Sequence, residues 1–131
     1  MQKSISLLLL TIIFSLQSHA QAPTQQQCKQ LPEDIYLTLS YVYPCPSHES
    51  AFAHIKNDFG NKVESVMVQC EQAFSKSQLQ TWDKEAQKRL QDKFNKVGQA
   101  IEQDQNAYCQ GIKNDFKNLV QKYLPNQDFP D

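Results

Sequence analysis

The sequence predicts an all-α protein: a small disulfide-braced bundle of three to four helices, preceded by a cleaved signal peptide. Three observations carry this. Apolar residues recur at steps of three and four over residues 48–123, four cysteines stand far apart in the chain, and an apolar run opens the N-terminus. The 131 residues suffice for one domain, and 13 Lys and Arg against 14 Asp and Glu leave a formal charge of −1. With no basic block, nothing here neutralises phosphates, so no nucleic-acid partner is expected.

Lys3 supplies a positive start, Ile5 to Leu16 form the apolar run, and Ser18-His19-Ala20 ends in small residues of the kind a signal peptidase reads. Cleavage is expected after Ala20, making residues 1–20 the signal peptide. A permanent membrane anchor would need about 20 apolar residues, more than this run provides. The mature chain, having lost Lys3, carries 12 positive and 14 negative side chains. It is expected to be soluble in a bacterial periplasm or the extracellular medium.

A Gln-rich arm, residues 21–31, consists mostly of the polar stretch Gln21 to Gln30, which lacks the apolar residues to pack and is expected to be extended or loosely ordered. The helical domain is placed at 32–124 and a polar tail at 125–131. Pro32-Glu33-Asp34 reads as a helix opening, with Pro tolerated in the first turn and acids favoured there. Residues 35–43 fit either strand alternation or a helical stripe of Ile35, Leu39 and Val42. Helix is preferred because a lone strand has no partner. Pro44-Cys45-Pro46 stops it, and Ser47 reads as the next N-cap.

Phe52, Ile55, Phe59, Val63, Val66, Cys70 and Phe74 then define one long helix over about 48–74, bent if anywhere at Gly60. Ser77 and Gln80 read as a capping box opening a third helix, whose stripe runs Leu79, Trp82, Ala86, Leu90, Phe94, Val97, Ile101. A fourth stripe is Tyr108, Ile112, Phe116, Leu119, Tyr123. An unbroken helix over 78–123 would be a rod of roughly 69 Å, so a break is expected between Gly98 and Asn106. A near-repeat, Ile55-Lys-Asn-Asp-Phe59 against Ile112-Lys-Asn-Asp-Phe116, reads as two ordinary amphipathic turns.

In an oxidising compartment Cys28, Cys45, Cys70 and Cys109 are best read as two disulfides, their spacing matching no haem, zinc or redox motif. An antiparallel hairpin turning near residue 76 brings 45 opposite about 107. A helix over 32–43 rises about 17 Å, and four extended residues add about 13 Å, enough to carry Cys28 to Cys70. Pairing Cys45 with Cys70 would instead span the hairpin helix end to end, so the expected bridges are Cys28–Cys70 and Cys45–Cys109.

No catalytic, cofactor or metal residue stands out. His48 and His54 lie six apart and about 120° out of line on a helix, so they are expected to be solvated residues at a helix start. The acidic residues alternate with Lys and Arg, as at Asp92 and Lys96, in the pattern of a solvated face. Tyr36, Tyr41 and Tyr43 beside the disulfide-pinned Pro-Cys-Pro corner, with neighbouring His48, are the candidate protein-binding residues, because rigid tyrosines lose little entropy on docking.

In architecture, with its leader, bridged cysteines and helical stripes, the chain resembles the small periplasmic immunity proteins that neutralise cell-wall-degrading effectors. That resemblance implies one protein partner and no enzymatic activity. The alternatives are a periplasmic stress chaperone, similar in size and helical character, and a small secreted hydrolase.

Overall fold

The computed structural model describes residues 22–129; the expected signal peptide lies outside them. Among the described residues there are five helices and no strand: α1 Gln25–Val42, α2 Pro46–Ala53, α3 Lys56–Ala73, α4 Lys76–Gly111 and α5 Lys113–Tyr123. No described helix is long and apolar enough to cross a membrane. The count exceeds the expected three to four because two of the long stripes are broken where the chain redirects a face.

α1 is the centre, and each of the other helices packs on it. It begins seven residues before Pro32, so most of the Gln-rich segment is helical, not extended. A capping box starts it: Thr24 Oγ1 accepts from Gln27 N–H at 3.2 Å, and Gln27 Oε1 accepts from Thr24 N–H at 2.9 Å. Pro32 therefore sits inside the helix, where its missing N–H removes the donor that would serve the Cys28 carbonyl. The Cys28–Cys70 bridge to α3, with Cα atoms 5.7 Å apart, pins the turn that this weakens.

At the other end, Cys45 bonds Cys109 of α4, again with Cα atoms 5.7 Å apart. The Pro44-Cys45-Pro46 stop deprives the last carbonyls of α1 of their usual donors. Each finds a substitute. Tyr108 O–H donates to the Ser40 carbonyl at 3.0 Å, His48 Nδ1–H to the Tyr41 carbonyl at 2.9 Å, and Cys45 N–H to the Val42 carbonyl at 3.2 Å. Gln105 serves the Pro44 carbonyl.

The inward face of α1 is Cys28, Leu31, Asp34, Thr38 and Val42. The expected stripe had Leu39 inside, but Leu39 is 45% exposed. The helix is rotated so that Asp34 enters the core, where Tyr123 O–H donates to Asp34 Oδ2 at 2.6 Å and Lys122 Nζ bonds the same oxygen. Thr38 completes the face by donating to the Asp34 carbonyl at 2.7 Å. Helix α5 is thus bound antiparallel to α1 by one buried carboxylate.

Residues 48–74 form two helices, and the break falls at His54–Ile55, not at Gly60. There Ile55, 5% exposed, turns in to pack with Val42, Phe116 and Val120. The near-repeat marks two such restarts. Ile55 and Ile112 take similar backbone angles (φ −115°, ψ −1° and φ −97°, ψ 1°), and the N–H of Phe59 and of Phe116 each bonds back to its Ile carbonyl at 2.9 Å. Both Phe residues are buried.

The N-caps lie two residues earlier than expected at both later turns. Cys45 precedes α2, with Pro46 in its first turn, in place of Ser47; Ser75, boxed with Gln78, opens α4 in place of Ser77. Within α4, Asp104 leaves helical geometry (φ −159°, ψ 95°), and its Oδ1 caps the N–H of Ala107 at 3.0 Å. The kink lies in the stretch where a break was expected, and it swings Tyr108 and Cys109 onto the end of α1.

Two outcomes test this frame. Serine at both Cys45 and Cys109 should lower unfolding stability by about 4 kcal/mol, the loop-closure value for a 64-residue separation, in urea titrations. Burial first, and then Asp34, pushes the Tyr123 phenol above its ordinary value of 10.0; burial likewise raises Tyr41 and Tyr108. The unfolded chain therefore ionises these phenols first, so the stability they contribute is present below about pH 10 and declines above it. Urea titrations from pH 8 to 11.5 should show that decline, with a shallower slope in Tyr123→Phe.

Candidate protein-binding face

The four candidate residues do not share one face. Tyr36 on α1 and Tyr43, which caps its end, lie seven apart, two turns along nearly the same line, with Leu39 between them. Tyr43 is 72% exposed. Tyr41 points the other way, its ring edge-on to Phe116 with centroids 6.5 Å apart. His48 is only 7% exposed, its ring stacked 4.8 Å from Phe116 while its Nδ1–H holds the Tyr41 carbonyl. His48 is thus a buried packing and capping group, not a solvated residue at a helix start, whereas His54 is exposed.

Tyr36 is met by residues from another helix. Helix α4 runs parallel to α1: Lys29 stands over the Trp82 ring at 5.6 Å, and Glu33 pairs with Arg89 at 3.5 Å. Gln87 Nε2 donates to the Tyr36 hydroxyl at 3.3 Å. Phe94 lies seven beyond Gln87 and is 38% exposed. Tyr36 and Phe94 line one shallow depression with Gln87, Gln91, Lys84 and Lys88.

Phe94 was expected in the core because it continues the steps of four through Trp82, Ala86 and Leu90. Each such step overshoots a true helical turn by about 40°, so by residue 94 the stripe has rotated about 120° away from Trp82. Trp82, Ala86 and Leu90 are buried, as that rotation requires. The signal was legible in the spacing.

Beside the depression, a cleft of about 260 Å³ opens between α1, α3 and α4. Leu31, Pro32, Ile35 and Tyr36 form one wall, Met67 another and Leu79 the third, with the Cys28–Cys70 bridge at the base. Met67 is 40% exposed. Two carboxylates line the cleft, Glu71 from α3 and Asp83 from α4. Asp83 accepts from Gln87 Nε2 at 2.9 Å. Tyr36 lines both hollows, so cleft and depression adjoin at its ring and are together called the trench.

The phenols raised by burial, Tyr41, Tyr108 and Tyr123, are engaged in packing and do not line the cleft. Among the described residues no group of three or more His, Cys, Asp or Glu is placed to hold a metal ion. The arrangement presents rigid apolar surface with polar edges, which is the chemistry of docking. Comparison with family models, curated proteins and solved structures yields no match.

Replacing His48 by Leu keeps an apolar side chain against Phe116 but removes the donor to the Tyr41 carbonyl. It should cost about 1–3 kcal/mol in thermal or urea unfolding, the cost of an unmet buried acceptor. A change below about 0.5 kcal/mol would show that the ring acts only by filling space.

Proposed function

We propose that this chain is exported to the periplasm, loses residues 1–20 and there binds one protein partner as an inhibitor or immunity protein, without catalysis of its own. The observation that carries this reading is the apolar cleft beside α1, together with exposed Tyr43 and Phe94 at the surfaces of two helices that a disulfide clamps together. Exposed large apolar rings cost solubility unless they meet something, and a surface that stays rigid loses little entropy when it does. Two disulfide bonds fit an oxidising compartment.

The residues assigned to the interface are Tyr36, Leu39, Tyr43 and Phe94. From the original candidates, Tyr41 and His48 act behind it, holding the end of α1 in place.

Affinity capture tests the reading, with the mature oxidised protein as bait in envelope extract at neutral and strongly acidic pH. One stoichiometric partner at neutral pH is expected. A Tyr43→Ala, Phe94→Ala double variant should weaken its binding by about tenfold or more at unchanged melting temperature. Unchanged affinity would reject this face, and a broad set of clients bound only in acid would replace the reading with the chaperone class.

A further inference from the structure

The trench has a chemistry that narrows its occupant. Its deep part is apolar on all three helices, yet the two ionised groups lining it, Glu71 and Asp83, carry the same sign and come from different helices. Its volume, about 260 Å³, falls below the roughly 300–1,000 Å³ of sites that enclose a drug-sized ligand. It fits one or two side chains. Across Tyr36 the sign reverses, since Lys84 and Lys88 line the adjoining depression with Phe94.

Resting on the partner-binding reading, we propose that the cleft between α1, α3 and α4 receives a bulky apolar anchor side chain from a partner segment with Lys or Arg beside that anchor. The anchor enters between Pro32, Met67 and Leu79, against the Cys28–Cys70 bridge. The flanking cations face Glu71 and Asp83. An acidic flank there would meet two like charges over an apolar wall that cannot solvate it, and like-charge juxtaposition excludes wrong partners.

The proposal is tested with a pair of synthetic amphipathic peptides sharing one Trp- and Leu-bearing apolar face, one flanked by Lys and the other by Glu. Each is titrated into the mature oxidised protein and followed by NMR. The Lys peptide should shift the Met67, Leu79 and Tyr36 resonances and bind more tightly, with the difference shrinking at high salt. A Glu71→Lys, Asp83→Lys variant should weaken the Lys peptide roughly two- to thirty-fold, the range for two exposed ion pairs, and improve the Glu peptide. Glu71 is exposed and Asp83 partly buried, and circular dichroism verifies that the variant folds.

Equal binding of the two peptides at the cleft, or no effect of the charge reversal, would overturn the basic-segment assignment while leaving a protein-binding face intact. Shifts confined to another surface, or none with either peptide, would overturn the cleft as the anchor site. The partner-binding reading itself stands or falls on the Tyr43 and Phe94 variant above.

Discussion

Helix α1 is held at both ends, and the rest of the molecule depends on that. Cys28 ties its first turns to α3, and Cys45, just past its end, ties it to α4. A helix of 18 residues containing an internal proline is a weak element alone. Cross-linked on both sides of that proline, it becomes the surface on which every other helix is placed. Its carbonyl ends, stranded by Pro44 and Pro46, then draw Tyr108, His48 and Gln105 into position, so the fold is organised around deficits at one helix terminus.

The core polar residues follow the same logic. Asp34 would be an expensive group to bury alone, but Tyr123 and Lys122 converge on one of its oxygens and fix the approach of α5. Turning Asp34 and Thr38 inward turns Leu39 outward, and with it the line through Tyr36 and Tyr43. The outer apolar stripe is thus the counterpart of the polar residues in the core. Stability and candidate function are set by one rotation of one helix.

The helical class, the presence of two bridges and the burial of Trp82 were legible in spacing alone. The rotation of α1 was not, because Asp34 read as an acid of a helix opening and its partners on α5 lie almost ninety residues away. The early start of α1 was available in Thr24-x-x-Gln27, the same pattern that was read two residues late at Ser77 when Ser75 and Gln78 form the box. The break at Ile55 was hidden because the apolar stripe runs through it unbroken, and only the pull of a second cluster around Phe116 bends the chain there. Phe94 was mistaken for core by following steps of four without their accumulated drift, and His48 was mistaken for a surface group by its place at a helix start.

Native-state hydrogen exchange on the oxidised protein, compared with the protein lacking the Cys28–Cys70 bridge, tests the role of α1 most directly. If α1 is the spine, amides from Leu31 to Val42 exchange most slowly in the oxidised form. Loss of the bridge should then accelerate the turns flanking Pro32 and the α3 and α5 amides packed on them together. Protection centred on α4 with α1 opening independently, or an effect of the missing bridge confined to residues beside Cys28, would contradict the account.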